Sequence, residues 1–370
     1  MKRLTALAIL SIAAQANAQV IDGSIAPAPV ADASDVAAAT MQMNRLAESQ
    51  QAQASITVDP TNRTQVANLY FSTYLPEDNV TNGWSGNITG CNAGQTAAAF
   101  QAATVERVNV YRALAGLPGN VVLYTGSTNQ SGDQQAALMM VANNTLDHSP
   151  PTNWTCYTAA GASAAGSSNL TLGFGFNYDG PTAIDGYMDD DGGGNEGAGH
   201  RRWLLYPPEA NIATGDVDGT TGSSGRSSNA LWVIGGWGTR PPTPNGIAWP
   251  PRGYIPYQML PSGSNRWSLS IQNANFSNAK VSMTRNGVAL ATPTIDAFEY
   301  NGQPSGSFIG DNTIVWEPTG VTYTKPTSDV TYHVTVTGIT GTPSSVSYDV
   351  IVFDPGTSSD PIFANGFEKS

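Results

Sequence analysis

The sequence is poor in the residues on which much enzyme chemistry depends. It has two cysteines and three histidines in 370 residues, and no lysine stands between Lys2 and Lys280. Chemistry that requires lysine is therefore excluded from the first three quarters of the chain after its N-terminus. The phosphate-binding motif G-x-x-x-x-G-K, the zinc motif H-E-x-x-H and the nucleophile motif G-x-S-x-G are all absent. Nucleotide binding through a phosphate loop and serine-hydrolase chemistry consequently have no local support.

Basic residues are also scarce. The chain has 16 Lys and Arg against 28 Asp and Glu, which gives a net charge of −12. A surface of this sign repels phosphate groups, so nucleic acid is not expected as a partner. After the N-terminus no apolar run approaches the ~18 to 20 residues that span a bilayer, so no transmembrane segment is expected.

The first 18 residues are typical of a secretory signal peptide. A basic pair precedes an apolar run, and an Ala-Asn-Ala cleavage site ends at Ala18. The mature chain is expected to begin at Gln19 and to be extracellular or periplasmic, where disulfides persist. Cys91 and Cys156 are then expected to form a bridge, and two buried thiols are the alternative.

Composition and periodicity divide the chain into segments. Helices are predicted over residues 97–115 and 131–144, the second opened by a capping box at Ser131, with a short helix after Pro181 and a strand over 229–234. From residue 267 the period is two, around a hairpin turn at Asn286-Gly287. The expected segments are a signal peptide (1–18), a linker or exposed helix (19–60), a helix-and-strand domain (61–240), a Pro-rich connector (241–265), a β-sandwich module (266–355) and a tail (356–370).

Two of the three histidines are candidates for chemistry. His148 follows the end of a predicted helix, and His200 lies in a glycine-rich loop, whereas His333 falls on the polar face of a predicted strand. Asp190 and Glu196 are candidate catalytic carboxylates near His200. Imidazole nitrogen and carboxylate oxygen suit Zn²⁺ or another divalent metal, so His148 and His200 are candidate metal ligands. The structural alternative is that each histidine satisfies buried polar groups at a helix end.

Several motifs occur together in the first domain. They are VNVYRALAGLP from Val108, AALMMVANNTLDHSPP from Ala136, SSNLTLG from Ser167, AIDGYMDDDGGGNEGAGHRRWLLYP from Ala183 and NALWVIGGWG from Asn229. In this order they resemble the CAP superfamily, the SCP-domain group of cysteine-rich secretory, antigen-5-like and pathogenesis-related proteins, in a bacterial form. The resemblance covers about residues 61–240. It implies an α+β fold class, a CAP-type α-β-α sandwich, and the β-rich segment after it looks like an immunoglobulin-like sandwich.

The resemblance also implies a cleft lined by two histidines and two acidic residues. His148 and His200 match the histidines, and Asp190 fits the place of one acid. Ser168 stands where the other acid is usual, so the ligand cleft is expected to hold three of the four groups unless Glu196 or the carboxylate after Asp190 substitutes. The glycines before His200 would let the backbone pass close to the opposite wall of the cleft.

The residues after His200 are expected to belong to the fold. Arg201 and Arg202 are predicted to pair with the carboxylates of residues 189–191, and Trp203 is predicted to enter the core with the two leucines that follow it.

The leading interpretation is a secreted extracellular binding or interaction protein. Its ligand is unknown, and a lipid-like molecule or an envelope component is the class expected. The alternative is a metal-assisted hydrolase or peptidase that uses His148, Asp190 and His200, so whether the chain is an enzyme stays open, with binding preferred. A third possibility is that the β-sandwich attaches the protein to an envelope. The tail from Asp360 to Ser370 is either a sorting signal or packs on the last strand.

Overall fold

A computed structural model describes residues 23–46, 55–124, 128–175, 177–219, 225–299 and 308–356. The predicted signal peptide and the tail from Asp360 to Ser370 lie outside these ranges. Within them the chain contains helices and three β-sheets, so the α+β class is confirmed. No helix in the described ranges is long and apolar enough to cross a membrane.

The first unit contains one five-stranded sheet. Its order is β1-β3-β5-β4-β2, and all neighbours are antiparallel except β2 and β4. The strands are β1 (Gly23–Ile25), β2 (Val122–Leu123), β3 (Ser168–Phe174), β4 (Asn211–Asp218) and β5 (Arg226–Trp232).

The helices of this unit precede and interleave with the strands. A π-helical turn, Tyr70–Tyr74, continues α2 into α3. The helices are α1 (Ala33–Leu46), α2 (Arg63–Leu69), α3 (Leu75–Glu77), α4 (Ala98–Leu114), α5 (Thr128–Asn143), α6 (Ala159–Ala165), α7 (Gly180–Asp189) and α8 (Gly199–Leu204).

Side chains that alternate along β5 face opposite helical layers. Ala230 packs in the apolar cluster formed with α5 and α6. Leu231 packs in the cluster that includes Val108 of α4 and Ile184 of α7. Successive residues of a strand point to opposite faces of its sheet. The pair α5 and α6 therefore covers one face, and α4 with α7 covers the other.

A polar layer lies between α7 and the sheet. Asp216 on β4 accepts hydrogen bonds from the Gly180 backbone N–H at 2.7 Å, from Asn229 Nδ2 at 2.6 Å and from Thr214 Oγ1 at 2.9 Å. The hydroxyl of Tyr187 donates to Asn229 Oδ1 at 2.8 Å. These bonds hold the beginning and the end of α7 on the sheet, and the groups that make them are buried.

The buried carboxylates of this layer predict a stability that falls as the pH rises. Burial raises the pKa of Asp179 well above its ordinary value, and the nearby Asp216 raises it further. Burial raises the pKa of Asp216 as well. A carboxyl group with a raised pKa keeps its proton longer in the folded state, so stability is lost as the pH rises from the unfolded value through the folded one. We therefore expect a larger free energy of unfolding at pH 5 than at pH 8.

Urea unfolding followed by tryptophan fluorescence at the two pH values measures this difference. Asp179→Asn should reduce it, because the variant has no proton to release at this position. The matched variant Asp191→Asn, at an exposed carboxylate, should leave it unchanged. A free energy of unfolding that increases from pH 5 to pH 8 would contradict the assignment.

The second unit consists of two sheets that pack face to face. One has the order β10-β9-β13-β14-β7, and the other has the order β11-β12-β8-β6. Trp267 of β8 contacts Tyr332 of β13 between them, with ring centroids 5.8 Å apart. The strands are β6 (Ile247–Trp249), β7 (Gly253–Pro256), β8 (Trp267–Ser270), β9 (Lys280–Arg285), β10 (Val288–Ala289), β11 (Thr294–Glu299), β12 (Thr313–Glu317), β13 (Val330–Thr337) and β14 (Val346–Phe353).

Most predicted elements of both units are present. The helices predicted over 97–115 and after Pro181 are α4 and α7, and the hairpin turn at Asn286-Gly287 joins β9 to β10 with φ of 48° and 82°. The second predicted helix begins at Thr128 rather than Ser131, because the Ser131 hydroxyl donates to the Thr128 carbonyl inside the first turn instead of capping it.

Two segments predicted to be connectors contribute to the sheets. Residues 241–265 contain β6 and β7, which pair with β8 and β14. These strands are three and four residues long and stand among prolines, so the alternating pattern that reveals a strand is too short to detect. Residues 19–60 contain β1 and α1, and the side chains of residues 33–38 at the beginning of α1 are exposed or half-buried.

Candidate functional site

Asp190 ends α7 with its carboxylate fully buried. The residue has the left-handed backbone conformation, with φ 60° and ψ 43°, which ends the helix and turns the side chain toward α8. Its Oδ1 accepts a hydrogen bond from His200 Nδ1 at 2.7 Å, and its Oδ2 accepts one from the Arg201 backbone N–H at 3.1 Å. Both carboxylate oxygens are therefore bonded within the protein.

His200 lies in the first turn of α8 and is completely buried. Its ring stacks on Tyr187, with centroids 5.4 Å apart and an angle of 17° between the planes. Because Nδ1 donates to Asp190, a neutral ring carries its lone pair on Nε2. Nε2 is buried and makes no hydrogen bond to any residue that the structure describes. This nitrogen is able to accept a proton or to bind a metal ion.

His148 is held between two backbone carbonyls. Its Nδ1 lies 2.6 Å from the Ala165 oxygen at the end of α6, and its Nε2 lies 2.6 Å from the Pro27 oxygen. A neutral imidazole has one N–H group and donates to only one of these oxygens. Burial lowers the pKa of His148, and the nearby His200 acts in the same direction.

The residues that meet His148 from outside belong to an N-terminal strap, which we define as residues 23–31. The strap begins as β1 at the edge of β3 and then passes over His148, where the Pro27 oxygen meets Nε2. A Cβ atom on Gly199 would lie 2.6 Å from the Cβ of Ala28, so only glycine admits the strap at this point. The close backbone approach predicted for the glycines before His200 is present, and the strap forms the opposite wall. The sequence had indicated a linker there, because alanine and proline carry no signal for packing across a cleft.

Ser168 does not join the histidines. Its hydroxyl oxygen lies 2.8 Å from Asp133 Oδ1 of α5 and 2.7 Å from the Ala164 carbonyl oxygen, within hydrogen-bond distance of both. The next residue, Asn169, is the one that faces α8, and its Nδ2 lies 3.5 Å from the His200 carbonyl oxygen. Alternation along β3 places these two side chains on opposite faces of the sheet.

Glu196 is exposed on the loop before α8 and does not reach the buried pair. Its Oε1 accepts a hydrogen bond from the Gly194 backbone N–H at 3.1 Å. Hydrogen bonds from its own backbone N–H and from that of Gly194 lower its pKa, so it is an ionised surface carboxylate. The structure therefore joins Asp190 to His200, holds His148 between the carbonyls of Ala165 and Pro27, and places Ser168 and Glu196 away from these contacts.

The predicted metal site has no support in this arrangement. Across the described ranges, no three side chains of His, Cys, Asp or Glu are arranged to hold a metal ion. Both nitrogens of His148 face carbonyl oxygens, and both oxygens of Asp190 accept hydrogen bonds. Only Nε2 of His200 remains for a cation.

The arginines after His200 bind backbone carbonyls instead of carboxylates. The guanidinium of Arg201 donates to the carbonyls of Met188 and Asp189, and that of Arg202 donates to the Asp311 carbonyl. These hydrogen bonds therefore differ from the predicted pairing with the carboxylates of residues 189–191. Trp203 is fully buried in the core, as predicted.

The remaining predicted features are present. Cys91 and Cys156 form a disulfide with Cα atoms 5.0 Å apart. His333 lies on the exposed face of β13, where its Nδ1 is 2.6 Å from Asp349 Oδ1. The disulfide and His333 take no part in the cleft.

A cavity of about 610 Å³ lies beside the strap. It is bordered by β1, by Tyr178, by the glycine-rich loop that follows α7, and by Tyr323 of the second unit. Its volume is in the range of small-molecule binding sites.

Comparison of the chain with known protein families, with curated proteins and with solved structures finds no match. The site is therefore interpreted from its geometry and from the order of its motifs.

Proposed function

We propose that this chain is a secreted CAP-type protein with a C-terminal immunoglobulin-like module, and that it acts as an extracellular binding protein. The order of the motifs supports the class, because they lie on α4, α5, β3, α7 with α8, and β5 of a single unit. Their arrangement, with helices on both faces of one sheet, is the architecture that the resemblance implies. The disulfide is of the kind that persists outside the cytoplasm.

One observation favours binding over hydrolysis: the polar groups of His148 and Asp190 are engaged with protein atoms, and the strap covers His148. Catalytic zinc requires three protein ligands and an open coordination position. Here His148 faces two carbonyl oxygens, and Asp190 accepts two hydrogen bonds. A cleft that is closed by a peptide segment of its own chain is suited to recognition.

The ligand class that we propose is a lipid-like molecule or an envelope component. The cavity beside the strap, about 610 Å³ in volume, is large enough for such a group and has tyrosines on two sides.

A single observation favours the alternative, a metal-assisted hydrolase. Nε2 of His200 is buried without a hydrogen bond to any described residue, and Asp190 orients the ring from the other side. Removal of the strap would free Nε2 of His148 from the Pro27 oxygen.

Calorimetric titration of zinc into residues 19–370 tests the two functions against each other. We expect no saturable binding that depends on the cleft, because no third ligand is in place. His148→Ala and His200→Ala are the test variants, and His333→Ala, at an exposed histidine outside the cleft, is the matched control. One-site binding that is lost in both test variants, kept in the control and accompanied by an intact fold would overturn the binding proposal in favour of the hydrolase.

A further inference from the structure

The strap is bound as an extended strand at both of its ends. At its beginning, β1 pairs antiparallel with β3, and the Ala26 N–H donates to the Leu170 carbonyl at 3.2 Å. At its end, Ala31 donates to the Phe308 carbonyl at 3.0 Å and accepts from the Phe308 N–H at 2.9 Å. Addition of an extended segment to a sheet edge is a common mode of peptide recognition.

Between these ends, side chains of the cleft bind backbone carbonyls of the strap. His148 Nε2 lies 2.6 Å from the Pro27 oxygen, and Trp203 Nε1 donates to the Pro29 oxygen at 2.8 Å. With the bond at Ala31, the bound carbonyls follow each other at every second residue. Such contacts are made to the main chain, so they accept any peptide that adopts this extended conformation.

The side chains of the strap determine which peptides fit. The half-buried Ala28 packs against Gly199, where a Cβ atom on the glycine would lie 2.6 Å from the Cβ of Ala28, and Ala26 and Ala31 are buried. Val30, by contrast, is 55% exposed and points away from the cleft. The two prolines have no N–H group, so the cleft needs no acceptor opposite them, and their fixed φ keeps the segment extended at a small entropic cost.

We infer that the histidine cleft is a groove for an extended peptide in which small residues alternate with proline, and that the strap is its occupant from the same chain. This inference rests on the proposed binding function and adds an extended peptide as the ligand of the histidine cleft, which is distinct from the cavity beside the strap. Because the strap is tethered, its effective concentration at the groove is high, on the order of millimolar for a short flexible link. A peptide from another chain therefore binds well only where the strap is weakened.

Ala28→Trp in residues 19–370 weakens the strap without altering the groove. The larger side chain collides with Gly199, whereas the matched variant Val30→Trp places the same side chain in solvent. The probe is a fluorescein-labelled synthetic peptide, SIAPAPVAD, which has the sequence of residues 24–32. Fluorescence anisotropy should give at least about a tenfold lower Kd for Ala28→Trp than for the wild type or for Val30→Trp.

Two controls determine whether the groove binds the probe. The peptide SIAPWPVAD should not bind to Ala28→Trp, and addition of Gly199→Leu to that variant should abolish binding of SIAPAPVAD. If Ala28→Trp does not fold, the titration uses Ala31→Glu instead. This variant weakens the other end of the strap, because it places a carboxylate at a buried position.

No binding of SIAPAPVAD to a folded variant with a weakened strap, or equal binding of both peptides, would overturn the inference. Binding of phosphatidylcholine vesicles by that variant without peptide binding would overturn it too, and would leave the proposed binding function standing. Saturable zinc binding at the histidines would instead overturn the proposed function.

Discussion

Replacement of Arg201 by methionine is expected to lower the free energy of unfolding by about 3 to 5 kcal/mol, because several buried acceptors lose their donor and each such loss costs about 1 to 3 kcal/mol. The side chain is 1% exposed. It donates to the carbonyls of Met188 at 2.7 Å and Arg266 at 2.8 Å, and to the Ser268 hydroxyl at 3.1 Å. Burial lowers its pKa to about 10, and the nearby Asp190 keeps it charged at neutral pH. The variant leaves these acceptors buried without a donor, and each unsatisfied acceptor lowers the stability of the folded state.

The same side chain joins the two units. Met188 lies in α7, beside the cleft, whereas Ser268 lies in β8 of the second unit. Arg201→Lys should lose part of the same free energy, because an ammonium group lacks the planar set of donors that reaches all these acceptors.

Urea unfolding measures these losses. Arg285→Met, at a half-buried arginine in β9, is the control and should change the free energy of unfolding by less than about 1 kcal/mol. If Arg201→Met also changes the free energy of unfolding by less than about 1 kcal/mol, the acceptors of Arg201 do not require its donors.

Removal of the disulfide is expected to destabilise the protein by about 4 kcal/mol in the chain-entropy model. The bridge joins residues separated by 65 positions, so its absence gives the unfolded chain a large additional freedom. It connects the loop before α4 to the segment between α5 and α6. The double variant Cys91→Ser/Cys156→Ser and the wild type under reducing conditions should lose the same amount.

Urea unfolding with and without dithiothreitol makes the comparison. The reductant should have no effect on the double variant, which controls for its other actions. A wild-type free energy of unfolding that is insensitive to reduction would show that the bridge stabilises the native fold very little.

Local patterns were sufficient for much of the fold. The strand β13 carries buried and exposed residues in strict alternation, and its period of two was visible in the sequence. The strands β6 and β7 were not predicted from the sequence, because they are short and pair with strands that are distant in the chain. Their residues become strands through pairing with β8 and β14, and no local pattern encodes that pairing.

The candidate site divides in the same way. The scarcity of histidine and the order of the motifs led to His148, Asp190 and His200. The structure joins Asp190 to His200 by a hydrogen bond and holds His148 between two backbone carbonyls. Ser168 was misplaced because a motif gives an order of residues but not the face of the sheet on which each one lies.

The sequence by itself determined the helices α4 and α7, the hairpin at Asn286-Gly287, the disulfide pair and the histidines, because each depends on local periodicity, backbone conformation or the rarity of a residue type. Only the tertiary structure decided that the strap closes the cleft. The strap is held largely through its backbone, by His148, Trp203 and the edge of β3. Backbone groups are the same in every residue, so the places where they are bound become visible only when distant segments of the chain meet.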